Sequence, residues 1–419
     1  MGQPPKNVLI VGGSISGLMH GVVLKSLGQN VRILEARDPE DLKAEAGGLS
    51  LGPHGLQLMK KFLPDVHSYA FLNTHTQFLG ADGTVLREIP IAFKVETSSW
   101  NLIYGQLKEA FLHQPPNHGK GVYETGKRAT DIMDASERIV VSYEDVKDGT
   151  QRKLEADLVI AADGGRSIVR SKVIPDIYPK YAGYVAWRGC VPEALVPTTM
   201  KAIFDGKLLM HLGKNNYILA YLIPALNGEI TPGKRLLDWV WYDLCDKNSH
   251  EFNEIMTDSS GRRRNVTVPK GYLSKTAWEK RLSSAKPALP DDWFEVVSQA
   301  QTPFVTAITS FDGTKASFFN GKLILAGDAF TQFRPHLGLS CDQAALQALQ
   351  LTKVFSGEIT LEQGEKVVLD WSREFSLRSA AMGQFGLTGK YPEGYVPLYV
   401  LKEREAKDAG YNTHLQSVD

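Results

Sequence analysis

This 419-residue chain has no excess charge of either sign. Lys plus Arg and Asp plus Glu number 47 each, which leaves no overall field to draw nucleic acid or an anionic membrane. A small molecule is the partner this balance favours, and no nucleic-acid partner is expected. Cysteine is also scarce. Cys190, Cys245 and Cys341 form an odd set without metal-ligand spacing, so neither a disulfide framework nor a metal centre is expected and a reducing, cytoplasmic compartment is. No apolar run approaches the roughly eighteen residues that span a bilayer, and the opening Met-Gly-Gln-Pro-Pro-Lys has no signal-peptide core. Gly2 invites a myristoylation reading, but Lys6 stands where that motif requires Ser or Thr. Internal repeats and low-complexity tracts are missing too. The length suits two or three lobes rather than one, and assembly into a homodimer stays open.

What the chain does have is a strong opening. Residues 8–17, Val-Leu-Ile-Val-Gly-Gly-Ser-Ile-Ser-Gly, run an apolar strand into a Gly-rich turn that opens a helix, expected over Leu18 to Leu27. Gly12 permits the tight turn, amides near Ile15 and Ser16 can point at phosphate oxygens, and Gly17 lets helix and strand approach. The positive end of the helix favours the phosphate charge. Ser14 takes the place of the second glycine of this fingerprint, so the backbone must approach a pyrophosphate past a hydroxymethyl group. Glu35 ends a second apolar strand, Val31 to Leu34, 18 residues after Gly17, where an acidic side chain accepts hydrogen bonds from an adenosine ribose.

Further along, Gly47-Gly48 precedes an amphipathic helix near Gly55 to Phe62, and residues 76–90 read as a hairpin turning at Ala81-Asp82-Gly83-Thr84. A helix from Asn101 to Leu112 and a second hairpin around Lys147-Asp148-Gly149 follow. A buried strand, Leu158 to Ala162, then ends at Asp163-Gly164-Gly165. From Tyr181 to Phe311 the pattern turns β-rich and aromatic, with Trp187, Trp239 and Trp241, and reads as a separate sheet. The first style returns with Leu323 to Ala326, broken at Gly327-Asp328, and a helix from about Asp342 to Phe355. The expected fold class is α/β: a Rossmann-like dinucleotide-binding lobe (1–75, 98–180 and 312–385) interrupted by a β-sheet-rich lobe (76–97 and 181–311), with a tail over 386–419. Three apolar strands thus end in turns at Gly12, Asp163 and Gly327, and in a parallel sheet such ends share the edge where ligands bind.

With these motifs in view the chain resembles the single-component, FAD-dependent aromatic hydroxylases, whose fold is of the para-hydroxybenzoate hydroxylase type. Within them it is most similar to the enzymes of hydroxypyridines and hydroxynicotinate, through Tyr181-Ala-Gly-Tyr-Val-Ala-Trp-Arg-Gly189, Trp239-Val-Trp-Tyr242 and Arg334-Pro-His336. The resemblance implies that Gly12, Ser14, Ile15, Ser16, Gly17, Glu35 and Arg37 hold the ADP part of FAD. It implies that Asp163, Gly164 and Arg170 serve FAD and the nicotinamide donor, and that Asp328 after Gly327 reaches the ribityl chain. Gly48, Pro335, Gly338 and the Leu339 and Ser340 amides would meet the flavin ring. Two departures stand out: Thr331 replaces a histidine three residues after the late Asp, and an arginine usual at the start of the first-lobe helix is replaced near Trp100. The implied reaction takes a hydride from NADH or NADPH, adds O2 at the flavin C4a to give a hydroperoxide, and passes the distal oxygen to a small aromatic or N-heteroaromatic ring, with decarboxylation as a variant. A soluble substrate is favoured by the charged end, Lys402 to Asp408.

A hydroxylated ring attacks better once its own proton is drawn away, so a general base is expected near it. His336, beside Pro335, is the first candidate, with His211 and Tyr217 as further catalytic groups. Tyr221 and Arg188 are the substrate candidates, Arg188 for a ring carboxylate. Residues 217, 219 and 221 share a face if their strand is regular. The tryptophans serve either as walls or as plain sheet core. Two other readings are an oxygenase or epoxidase tailoring a bulkier natural product, and a non-catalytic binder on the same fold, as in GDP dissociation inhibitors.

Overall fold

Alternation gives the first strand two buried faces. In Asn7–Val11, Val8 and Ile10 enter one apolar cluster while Leu9 and Val11 enter another. The computed structural model describes residues 6–38, 47–63, 70–113 and 115–401. Gly2 and the 402–408 stretch lie outside them. Among the described residues no helix is long and apolar enough to cross a membrane.

The chain divides into two units. One comprises Met1–Ser68, Trp100–Lys180 and Thr309–Leu377, the other Tyr69–Ser99, Tyr181–Ile308 and Arg378–Asp419. The first is built on a sheet in the order Ser317–Phe318, Leu323–Leu325, Leu158–Ala161, Asn7–Val11, Asn30–Leu34, Gly121–Glu124, parallel except for the first pair. The helices Ile15–Ser26, Pro53–Phe62, Trp100–Leu112 and Ser340–Phe355 cover one face. A three-stranded antiparallel sheet, Lys127–Asp134, Ile139–Asp145 and Gln151–Ala156, contributes Ile132, Ile139 and Val141 to the other. The fold class is therefore α/β, as the sequence leads one to expect.

Two helices begin earlier than their apolar periodicity indicates. The first starts at Ile15, three residues before Leu18, because Ser14 in extended conformation is its N-cap and Gly17 is already helical. The late one starts at Ser340 with Leu339 as N-cap. In both cases polar or small residues follow the first helical position or the cap, Ser16 and Gly17 in one and Ser340 to Asp342 in the other, so no apolar stripe marks the helix start.

The second unit is an antiparallel sheet. Its strands run in the order Thr267–Val268, Phe304–Ser310, Lys180–Pro192, Leu236–Leu244, Asn216–Ile223, Lys207–Leu212, Phe71–Leu79, Val85–Ser99, and Lys207–Leu212 runs parallel to Phe71–Leu79. Helices His250–Ile255, Lys275–Ala285 and Asp291–Ser298 cover one face, where Val185, Trp187, Ile218, Trp239 and Trp241 meet Phe252, Trp293 and Val296. The opposite face carries Tyr184, Ala186, Met210, Tyr217, Val240 and Tyr242. Both faces being buried, residues 216–223 read as nearly continuous apolar sequence instead of alternating.

Candidate functional site

Register brings the three turns of the first unit together. Val11 pairs with Ala161, and Ala161 with Leu325, so three strands end level. The ladder continues into the turns: the Ala162 amide donates to Val11 O at 2.7 Å and the Ala326 amide to Ala161 O at 2.8 Å. Gly12 has φ +99°, and a Cβ there would lie 2.3 Å from the Ala162 carbonyl oxygen. A Cβ at Gly17 would lie 1.9 Å from Gly12 O. Neither position admits a side chain. The third turn closes in at Gly327, whose missing Cβ would stand 2.6 Å from Ser16 Oγ on the first helix.

Side chains lock this convergence. Arg170, buried, donates from Nε to Ile177 O (3.1 Å), from Nη1 to Ala329 O (3.1 Å) and from Nη2 to Gly165 O (2.5 Å). One guanidinium thus joins the Asp163 turn to the Asp328 turn, a fork only arginine supplies. On the helix side, Gln347 accepts from the Gly327 amide at 2.7 Å and donates to Leu325 O at 3.2 Å. Gln343 donates to Gly327 O and Thr331 O at 3.1 and 2.9 Å. Thr331 accepts from the Gly313 amide at 2.9 Å, so it is part of the frame.

Several polar groups in this cluster fit a flavin dinucleotide. Ser16 Oγ and Asp163 Oδ1 are buried without a hydrogen-bond partner, an arrangement that costs free energy unless a ligand supplies one. The other Asp163 oxygen accepts from the Ile168 amide at 2.8 Å, and burial pushes the carboxyl above its usual range. Ser14 caps the first helix without a side-chain hydrogen bond, leaving the amide end to phosphate. Glu35 Oε2 accepts from the Gly13 amide at 2.7 Å. Its Oε1 accepts from Arg37 N and Nε at 3.0 and 3.1 Å. A carboxylate has about four acceptor positions, so about one remains for a ribose hydroxyl. Asp328 has its carboxyl pushed up to about 6 by burial, against a hydrogen bond from Ser340 and the charge of Arg170.

The ring end is framed by four more features. Pro335, His336 and Leu337 form a single 3-10 turn ending at Gly338 in left-handed conformation, and His336 is buried in it. Leu339 then caps the Ser340–Phe355 helix with no side-chain hydrogen bond of its own to the first amides. The strand Gly48–Leu51 approaches this turn, since a Cβ on Gly338 would lie 2.7 Å from Ser50 Oγ. Sequence reasoning missed the pair beside it: His54 Nδ1 lies 2.8 Å from Asp342 Oδ2, and Asp342 Oδ1 accepts from the Gly55 amide at 2.8 Å. It also missed Tyr123, whose hydroxyl donates to Gly13 O at 2.8 Å and meets the Tyr104 hydroxyl at 3.0 Å.

In the second unit the structure separates residues that the sequence grouped. His211 pairs with Ile218 on the helix-covered face, its ring 5.3 Å from Trp293. Neither ring nitrogen has a hydrogen-bond partner, and burial pushes its pKa below the usual value. It is a core histidine. Tyr217 lies on the opposite face, stacked on Tyr242 at 4.7 Å and packed so closely under Gly386 that a Cβ there would sit 2.4 Å from its ring. Tyr217 is therefore also enclosed, and the two expected catalytic groups lie on opposite faces of the sheet. The tryptophans resolve as core: Trp239 stacks with Trp278 at 6.3 Å, and Arg281 lies 3.4 Å over the Trp241 ring. Tyr221 and Arg188 do share a face, with Asp238 and Cys190, which the sequence reading passed over.

Comparison with known proteins agrees with this geometry. A family model described as FAD binding domain-like matches residues 181–310. The chain is 29% identical over 357 residues, 85% of its own length and 84% of the other's, to a 2,6-dihydroxypyridine 3-monooxygenase of Paenarthrobacter nicotinovorans. It is 28% identical, over 48% of its length and 51% of the other's, to a 6-hydroxynicotinate 3-monooxygenase of Pseudomonas fluorescens. Among solved structures it is similar to 2,6-dihydroxypyridine-3-hydroxylase from Arthrobacter nicotinovorans, with TM-score 0.80, 26% identity and coverage of 94% and 96% of the two chains.

Proposed function

We propose, from the premise that this chain is an FAD-dependent monooxygenase of the single-component aromatic-hydroxylase family, that it hydroxylates a small N-heteroaromatic ring at the expense of NADH or NADPH and O2. The observation that carries the reading is the convergence at one sheet edge of the Gly12, Asp163 and Gly327 turns, locked by Arg170 and holding the unpartnered oxygens of Ser16 and Asp163. When bound, FAD supplies the hydride acceptance and the oxygen activation. The chain's part is to bind, orient and keep water away.

Gly12 to Gly17 and the amide end of the first helix would hold the pyrophosphate, Glu35 and Arg37 the adenosine ribose, and Asp163 and Asp328 the central hydroxyls. The uncapped amides after Leu339 would face the pyrimidine edge of the flavin ring, where backbone donors and the helix dipole favour negative charge. His336 is retained as the candidate base, and Tyr221 and Arg188 as substrate contacts. The reducing compartment argued from three unbridged cysteines makes the cytoplasm the proposed location.

Purified protein should be yellow, release one FAD on denaturation, and oxidise NADH or NADPH faster with a hydroxypyridine while forming hydroxylated product. Colourless protein that takes up no FAD, or flavoprotein whose oxidase rate no ring of this class changes, would contradict the proposal.

A further inference from the structure

On the face opposite the three helices, the ladder of the second unit's central strands reads as rows. One row is Ala186, Tyr242 and Tyr217; the next is Arg188, Val240 and Leu219; the next is Cys190, Asp238 and Tyr221. The last turns of the Leu361–Thr388 helix bring Met382, Phe385 and Leu387 against the first row's side of the face. Charge is concentrated in the other two rows. Asp238, 5% exposed, accepts from Cys190 Sγ at 2.8 Å and from the Tyr221 hydroxyl. Arg188 stands one strand repeat away, roughly 7 Å along. Its Nε is buried with no hydrogen-bond partner. The charges of Arg188 and Asp238 act in opposite senses on both Tyr221 and Tyr242, so all four share one neighbourhood. The charge of Lys270 is felt at Cys190.

A buried guanidinium N–H without a partner, on an aromatic wall beside a carboxylate, is costly without a ligand that answers it. We propose that Asp238 and Arg188 are the specificity-determining pair of the substrate site. Asp238 accepts an N–H or O–H from the ring, and Arg188 donates to an oxygen on it, as the N–H and C=O of a hydroxypyridine in its lactam form require. Cys190 and Tyr221 are positioning residues that hold Asp238 in place. This rests on the proposed function and narrows it. Arg188 then reads an exocyclic oxygen next to a ring donor, not a ring carboxylate, because a carboxylate set against Asp238 would be repelled.

The test compares 2-hydroxypyridine with 1-methyl-2-pyridone, which keeps the carbonyl and loses the N–H, by equilibrium dialysis against the FAD-loaded protein. Wild type should prefer 2-hydroxypyridine at least about tenfold, the size expected when a hydrogen bond to a charged acceptor is lost. In Asp238→Asn that preference should collapse to within about threefold, the FAD content staying as in wild type. Cys190→Ser, which keeps a donor to Asp238, should retain the preference. Equal binding of the two rings by wild type, or a preference that survives in Asp238→Asn, would overturn the assignment. If Asp238→Asn does not fold, the wild-type comparison decides alone. Dialysis reads binding without turnover, so a lactam preference in a protein that hydroxylates nothing would sink the proposed function and leave this pair standing.

Discussion

The nucleotide end of the first unit and the aromatic face of the second are assembled by different means. At the nucleotide end the backbone does the work: turns touch through positions where a Cβ would lie 1.9 to 2.6 Å from a neighbour, and amides and carbonyls are the principal contacts. On the antiparallel sheet the backbone is spent on the ladder, and everything specific is carried by side chains whose face depends on register. Residue type is dictated in the first case and merely permitted in the second, so substitutions at the first end should cost the fold more than those on the second.

The largest effect should come from the backbone end. Gly17→Ala sets a methyl 1.9 Å from Gly12 O, and a clash with backbone that cannot yield should cost roughly 3 kcal/mol or more. Thermal melting and flavin content would both fall sharply, and a yellow variant with an unchanged melting point would break the contrast. Arg170→Ala comes next. Three backbone carbonyls lose a charged donor, which should cost about 2–4 kcal/mol. Arg170→Lys should rescue little of it, because one ammonium cannot span the Gly165 and Ala329 carbonyls as a fork does.

A pH effect sharpens the same end. Burial holds the Asp328 carboxyl up at about 6, so ionising it costs the apoprotein. Its stability contribution is whole below the ordinary value of 3.8 and is lost as pH rises through about 6. Ribityl hydroxyls donating to the carboxylate favour the ionised form, so FAD affinity should move oppositely, rising about tenfold between pH 5 and 7. Asp328→Asn should abolish that rise in a fluorescence titration, and a rise of the same size in the variant would assign the titration to another group. The smallest effect belongs to the aromatic unit's core. His211→Leu removes two unpartnered ring nitrogens from an apolar setting, and stability should change by no more than about 1 kcal/mol with turnover intact. A tenfold loss of turnover would return His211 to the catalytic machinery.

The same division governs what could be read from the sequence. Gly12, Gly17 and Glu35 were legible because a strand-turn-helix that holds a phosphate demands those types at those spacings. The three strand ends were legible because parallel strands must finish on one edge. Arg170 as a staple was not, since its partners are carbonyls of Gly165, Ile177 and Ala329, and any residue offers a carbonyl. Gln343 and Gln347 looked like ordinary helix residues for the same reason. His54 and Asp342 are 288 positions apart, with no local pattern linking them. In the second unit the parity of 217, 219 and 221 was readable along one strand, but which face His211 shares depends on its pairing with Ile218. That information lies in another strand, and a run buried on both sides carries no alternation to reveal it.

The central claim is that three turns distant in sequence form one dinucleotide site, and calorimetric titration of the apoprotein tests it most directly. The account predicts one FAD per chain, competition by ADP, and at least tenfold weaker binding of FMN, which lacks the adenosine that Glu35 and Arg37 would hold. FMN binding as tightly as FAD with no competition from ADP, or no binding of either, would contradict it.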